Sequence, residues 1–167
     1  DMRALADFLC RNALPALEEL SLHGNPNITD VEVVSLAEAL LKATQTSLRV
    51  LTLSDVGMGD EGIAALSSLI YRGRMEQMRE LRFSENVGIT KEGIKALAQA
   101  IEAHMLPVLK DIYVMELKGI RAIGRAVIKG CPQLERIVLN PNEVDKKDVL
   151  EILLKAGGHK ASIHLRD

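Results

Sequence analysis

The chain has 167 residues, 47% of them apolar, which is enough to fill the core of one domain. Its 21 basic and 23 acidic residues give a formal charge of −2, so bulk electrostatics favours neither nucleic acid nor an anionic membrane as a partner. Two cysteines argue against a disulfide framework, and no apolar run approaches the ~18 residues of a membrane span, so we expect a cytoplasmic protein.

The first predicted element is a helix over residues 2–10, with Leu5, Phe8 and Leu9 on one face. Five times after it, and in part a sixth time, a leucine-type residue is followed by two variable residues, a second leucine, one variable residue and a third leucine. The middle leucine-type residues lie 31, 30, 31, 25 and 26 positions apart and are Leu20, Leu51, Leu81, Ile112, Ile137 and Ile163. Alternating apolar and variable residues predict a short strand in each copy.

Turn-forming residues follow the strands, and apolar residues then recur at helical spacing. We predict helices that begin after a cap at Thr29 or Asp30, at Asp60, after Thr90 and near Ile120, and a fifth that begins near Asp145. Strand and helix alternate, so the strands should be parallel and the helices should form an outer layer. Helices are wider than the ~4.8 Å strand spacing, so the stack should curve into a horseshoe with strands on its concave side.

These residues resemble a known family. The segments 17–25 and 78–86 have the pattern Leu-x-x-Leu-x-Leu-x-x-Asn, with methionine and phenylalanine replacing leucine in the second, and each precedes a full helix. The pattern resembles the ribonuclease-inhibitor-like class of leucine-rich repeats. The last two intervals, with Cys131 before Pro132, are more similar to the cysteine-containing class. The resemblance implies an α/β solenoid of about five to six repeats.

Two features modify this prediction. The asparagine position holds Val56 in the second copy and Leu117 in the fourth, where we expect the ladder of asparagine side chains to be interrupted. Neither chain end resembles the polar cap that shields a terminal repeat. We therefore expect a single domain over residues 1–167 that is either a fragment of a longer protein or a domain whose first and last elements serve as caps. We also expect a monomer.

The variable positions of the strands should display side chains on the concave face. Around the third and fourth strands they gather two guanidinium groups, a phenol, a thioether and carboxylates. Arginine and tyrosine are over-represented among residues that carry binding energy. The candidate partner-binding residues are Arg79, Arg82, Glu85, Tyr113, Met115 and Glu116.

The leading functional hypothesis is a non-enzymatic module that binds a partner protein through this concave face, without cofactor or metal. No local motif indicates a catalytic arrangement, and the four histidines lack the spacing of zinc ligands. The resemblance implies one alternative, a GTPase-activating protein of the Ran type, with Asn25, Asn86 or Asn142 as formal candidates for an edge-loop contact. A structural spacer or an engineered array is the third, and the unequal repeats argue against the engineered array.

Overall fold

The computed structural model describes residues 2–44, 47–114, 120–139 and 162–165. Helices and strands alternate along them, except that residues 140–161, between the last two strands, are outside the described part. The helices are α1 (Met2–Cys10), α2 (Asp30–Lys42), α3 (Asp60–Tyr71), α4 (Lys91–Glu102) and α5 (Ile120–Gly130). The strands are β1 (Glu19–Ser21), β2 (Val50–Thr52), β3 (Glu80–Arg82), β4 (Asp111–Tyr113), β5 (Arg136–Leu139) and β6 (Ser162–Leu165).

The six strands form one parallel sheet in chain order, from β1 to β6. Its register places the middle leucine-type residues of all six repeats opposite one another, so Leu51 pairs with Leu81 and Leu81 with Ile112. Successive helices pack side by side in the same order, from α1 to α5. The predicted α/β solenoid, with a parallel sheet and a helical layer, is therefore confirmed. The predicted helix near Asp145 lies outside the described residues.

Aliphatic side chains from both layers form one continuous core. Leu51, Leu81 and Ile112 are fully buried on the helix-facing side of the sheet. The helices contribute stripes such as Ile63, Leu66 and Ile70 of α3, which are also fully buried. Because each repeat buries its apolar face only against its neighbours, stability depends on the whole stack.

The turns after β1, β2 and β3 use a left-handed backbone conformation at one fixed position. Gly24 in the first repeat has φ of 72°, and its equivalents Asp55 and Glu85 have φ of 51° and 63°. The next position in the third repeat is Asn86, whose fully buried amide donates to the carbonyls of Leu53 and Phe83 at 2.7 and 2.9 Å. These bonds satisfy buried carbonyl groups where the strand ends.

The expected interruption of the asparagine ladder at Val56 is only partial. Val56 has no side-chain donor, but its backbone N–H donates to Asn86 Oδ1 at 3.2 Å. Asn86 thus serves the turn of its own repeat and that of the repeat before it. Leu117, the second expected interruption, lies outside the described residues.

The helix starts follow the predicted caps, with one addition. Thr29 caps α2, and its backbone and hydroxyl groups donate to Glu32 Oε2 at 2.8 and 2.7 Å. These bonds lower the pKa of Glu32, the hydroxyl bond most strongly. Asp30, the other predicted cap of α2, instead accepts bonds from the start of α3. A carboxylate from one repeat thus caps the helix of the next.

The loop after α3 contacts the end of the preceding helix, α2. The Arg74 guanidinium donates to the carbonyl of Ala43 at the C-terminal end of α2. Arg74 is half-buried as a result. A cation at this place also interacts favourably with the negative end of the helix dipole.

Both cysteines are free thiols, and Cys131 is fully buried at the junction between α5 and β5. Burial raises the pKa of its thiol to about 12, which keeps it protonated at neutral pH. Cys131 therefore packs in the core as a small apolar residue. Across the described ranges, no helix is both long enough and apolar enough to span a bilayer.

Candidate functional site

The sheet register places the predicted concave residues in one row. Ser21 pairs with Thr52, Thr52 with Arg82, and Arg82 with Tyr113, and Val138 continues the row on β5. These residues alternate with the buried leucines, so they lie on the face of the sheet away from the helices. The row brings Arg82 and Tyr113, two of the candidate residues, next to each other.

Tyr113 is the centre of a compact cluster on this face. The guanidinium carbon of Arg82 lies 4.4 Å from the centroid of the Tyr113 ring. The guanidinium carbon of Arg136, from the neighbouring strand β5, lies 5.7 Å from the same centroid. Both distances are within the range of a cation–π interaction, which favours this packing of charged and aromatic groups.

A carboxylate holds each of the two guanidinium groups. Arg82 Nε donates to Glu80 on the same strand, and Arg136 Nε donates to Asp111 Oδ1 at 2.9 Å across the β4–β5 pair. The bond to Asp111 raises the pKa of Arg136 above its ordinary value. We define the aromatic cluster as Glu80, Arg82, Asp111, Tyr113 and Arg136. Its formal charges balance, and the restrained arginines lose less side-chain entropy when a partner binds.

A polar groove of about 350 Å³ adjoins the cluster over strands β1 to β4. Serine and threonine hydroxyl groups line part of this groove. His23, also in the lining, has its Nδ1 atom 3.0 Å from the carbonyl oxygen of Ser54. The residues that line this concave groove are Glu19, Ser21, His23, Thr52, Ser54, Arg82, Ser84, Glu85 and Tyr113. A larger concavity of about 560 Å³ lies at the turn before α2, away from the cluster.

The candidate residues are distributed over three places. Arg82 and Tyr113 belong to the aromatic cluster, and Glu85 lines the groove beside them. Arg79 precedes β3 and aligns with Arg49 and Lys110 instead of the cluster. Met115 and Glu116 lie outside the described residues.

Arg136, Glu80 and Asp111 belong to the cluster but are not among the residues predicted from the sequence. The signal was available, because the interval of 25 residues between Ile112 and Ile137 aligns Arg136 with Asp111. What the sequence did not show is that Arg136 bends toward the ring of Tyr113.

The asparagines proposed for the alternative function have structural partners. Asn86 is buried and bonded to backbone carbonyls, as described above, and Asn25 donates to the carbonyls of Leu22 and His23 at 2.9 and 3.2 Å. Asn142 is outside the described residues. In the described part of the chain no three histidine, cysteine, aspartate or glutamate side chains are grouped to bind a metal ion.

Two segments of the chain match a known family model. Residues 44–67 and 77–98 match the family model described as Leucine Rich repeat. The chain is also 36% identical, over 101 residues, to leucine-rich repeat-containing protein 73 of Rattus norvegicus and of Homo sapiens. The matched region is 60% of this chain and spans about 30% of the length of those relatives.

Solved structures share the fold. The chain resembles "Leiomodin-1 Actin-Binding Site 2 (ABS2)" with a TM-score of 0.68 and 17% identity, over 91% of this chain and 87% of that one. It resembles the tropomodulin C-terminal domain of Caenorhabditis elegans with a TM-score of 0.67 and 14% identity, over 94% and 92% of the two chains. At these identities the likeness concerns the fold alone, an α/β solenoid with a parallel sheet.

Proposed function

We propose that this chain is a protein-interaction module and that its concave face, centred on the aromatic cluster, binds the partner. Proteins built from leucine-rich repeats generally act in protein–protein interaction, and both similar structures have a fold of this kind. The observation that carries the proposal is the placement of Tyr113 between the guanidinium groups of Arg82 and Arg136.

Two properties of the cluster and one of the neighbouring groove support a role in binding. Tyrosine and arginine contribute large contact areas and keep directional polar groups, which is why they are common at energetic centres of interfaces. The side chains of Glu80 and Asp111 restrain the arginines before any partner arrives. The neighbouring groove offers hydroxyl and carboxylate groups that can form specific hydrogen bonds with a polypeptide.

The sharpest test replaces the ring and keeps the fold. Tyr113→Ala removes the centre of the cluster, and Tyr71→Ala removes an exposed tyrosine at the end of α3, on the helical side. Immobilised wild-type protein and both variants are incubated with cell extract, and retained proteins are identified by mass spectrometry. We expect Tyr71→Ala to retain the partners of the wild type and Tyr113→Ala to lose them.

A direct measurement should follow with each retained partner in purified form. We expect Arg82→Glu to weaken its binding about tenfold or more, as for truncation of a central interface residue. If Tyr113→Ala and Arg82→Glu both bind every partner as the wild type does, the concave face is the wrong surface. Melting temperatures of all variants must be measured, because a lost fold would mimic lost binding.

Two kinds of partner, actin filaments and small GTPases, can be tested directly. One of the similar structures is named as an actin-binding site of leiomodin-1, so sedimentation with actin filaments is an informative assay for this chain. The alternative of a Ran-type GTPase activator predicts faster GTP hydrolysis by one member of a panel of small GTPases. The bonds that occupy Asn25 and Asn86 make the protein-binding hypothesis the better supported of the two.

Three finer assignments accompany this proposal. The full helices and the spacing of 30 or 31 residues in the first repeats support the ribonuclease-inhibitor-like class. Free thiols at Cys10 and Cys131 support a reducing cytoplasmic location. We also keep the assignment of one monomeric domain over residues 1–167, for which gel filtration is the direct measurement.

A further inference from the structure

A second row of charged residues lies immediately before the strands, one position earlier than the cluster carboxylates. Backbone bonds align it: Arg79 N–H donates to the Arg49 carbonyl at 2.7 Å, and Lys110 N–H donates to the Arg79 carbonyl at 2.8 Å. Bonds of 2.7 Å continue the alignment to the outer members at both ends. We call this the edge row, and its members are Glu18, Arg49, Arg79, Lys110 and Glu135.

At each end of the edge row, a basic residue forms an ion pair with an acidic neighbour. Arg49 pairs with Glu18 at 3.2 Å, and Lys110 pairs with Glu135 at 2.7 Å, in each case with the neighbour on the outer side. Arg79, exposed in the centre, has a cation on either side. Across the described residues, no carboxylate lies within ion-pair distance of the Arg79 guanidinium.

The positive centre is unfavourable for the isolated domain. Like charges at directly opposite positions of neighbouring strands destabilise a sheet, whereas opposite charges stabilise it. A glutamate at position 79 would pair with Arg49 and Lys110 and make the row alternate in sign. The sequence therefore keeps a residue that the stability of this row does not favour.

In the adjacent row, one position later in each strand, the negative charges are paired with positive ones. There Glu80 and Asp111 are neighbouring carboxylates on β3 and β4, and each pairs with an arginine. Helix dipoles do not account for the edge row either, because its members precede strands and the last turns of α3 and α4 contain no basic residue.

We propose that the edge row binds an acidic segment of a partner protein, with Arg79 as its central contact. Strands are about 4.8 Å apart, so the span from Arg49 to Lys110 is about 10 Å. An extended peptide places alternate side chains about 6.6 Å apart on one face, which allows two carboxylates to reach this span. An incoming carboxylate would supply the negative charge that Arg79 lacks within the domain. This surface is separate from the concave groove and does not rest on its function.

The test uses a fluorescein-labelled peptide of four alternating glutamate and serine pairs, and fluorescence anisotropy at ~0.15 M salt, where remote charges are screened. We expect Arg79→Glu to weaken peptide binding about tenfold, because it replaces an attraction by a repulsion. We also expect it to raise the melting temperature by about 2 °C, through the two new cross-strand pairs. Reduced binding with increased stability is not the result of a folding defect.

Two matched variants locate the effect. Arg72→Glu makes the same charge change at the exposed end of α3, outside the row, and should leave binding within about twofold of the wild type. Tyr113→Ala should also bind the peptide normally, which separates this surface from the concave groove. Equal losses in Arg72→Glu and Arg79→Glu, or unchanged binding by Arg79→Glu, would overturn the proposal. So would equally tight binding of oligothymidylate, which would point to nucleic acid.

Discussion

Asp30 and Gly62 lie 32 positions apart, and Asp30 Oδ1 accepts the backbone N–H of Gly62 at 2.8 Å. The same oxygen accepts the N–H of Gly59 at 2.6 Å. Asp60 repeats the arrangement one repeat later, where its Oδ1 accepts the N–H groups of Thr90 and Gly93 at 2.8 and 3.1 Å. Each carboxylate satisfies donors that the next helix cannot satisfy itself, so α2, α3 and α4 are linked in series.

This relationship explains why position 62 is glycine inside a helix. A Cβ atom there would lie 2.7 Å from Asp30 Oδ1 and 2.7 Å from Met58 Cγ. Alanine is the better helix former by about 1 kcal/mol, but the overlap costs about 1–3 kcal/mol. We expect Gly62→Ala to lower the free energy of unfolding by about 1 kcal/mol, measured by urea denaturation. Ser68→Ala, on the exposed side of α3, is the control and should change it by less than about 0.5 kcal/mol.

The bonds to Asp60 make stability depend on pH. The Thr90 hydroxyl, which donates to Asp60 Oδ2 at 2.6 Å, is the main cause of a lowered pKa of Asp60 in the folded state. A lowered carboxyl pKa stabilises the fold above the unfolded value, about 3.9, and this contribution disappears as pH falls through the folded value. Asp60→Asn should therefore destabilise the protein at pH 7 and much less at pH 2.5. Urea denaturation at both pH values measures the difference.

The control for this pH dependence is Glu61→Gln, which neutralises an exposed carboxylate in the same helical turn. We expect it to change the free energy of unfolding by less than about 0.5 kcal/mol at pH 7. A gap between the wild type and Asp60→Asn that is equally large at pH 2.5 and pH 7 would contradict the assigned role of the ionised carboxylate.

Asn86 is expected to be the most costly polar side chain to remove from the turns. Its amide donates to Leu53 and Phe83, and its oxygen accepts from Val56, all within the buried core. Asn86→Ala leaves those backbone groups without partners and should cost about 2–4 kcal/mol in urea denaturation. Asn25→Ala, at the exposed equivalent position of the first repeat, should cost less than about 1 kcal/mol. Equal costs would mean that burial does not set the difference.

Glu85 combines a strained backbone with a place beside the groove. A left-handed conformation costs a non-glycine residue about 1–2 kcal/mol, and Gly24 has the equivalent position in the first repeat. Glycine loses about 0.5–1 kcal/mol more chain entropy on folding, so Glu85→Gly should give a net stabilisation of about 0.5 kcal/mol. Thermal and urea denaturation measure this gain.

Asp55→Gly is the matched variant, because Asp55 has φ of 51° at the same turn position and does not line the groove. We expect similar stabilisation from both substitutions and weaker partner binding from Glu85→Gly alone. Unchanged binding by Glu85→Gly would remove Glu85 from the candidate site.

Much of the fold could be predicted because its period is visible in single residues. Leu20, Leu51 and Leu81 recur at nearly constant spacing, and the helix between successive strands makes the strands parallel, with these leucines on one buried face. The same register correctly placed Arg82 beside Tyr113. The structure places Arg79 in the edge row instead of the cluster, and it adds Arg136 to the cluster.

Sequence alone determined the repeat, the order of strand and helix, and the identity of the buried leucines, because apolar periodicity is a local property of the chain. Tertiary structure alone decided which charges meet: Asp30 with the start of α3, Arg74 with the end of α2, and Arg136 with both Asp111 and Tyr113. These contacts join residues 23 to 32 positions apart, through side-chain conformations and backbone bonds between stacked repeats. These contacts form only when the neighbouring repeat is in place, so they cannot be predicted from the sequence of one repeat.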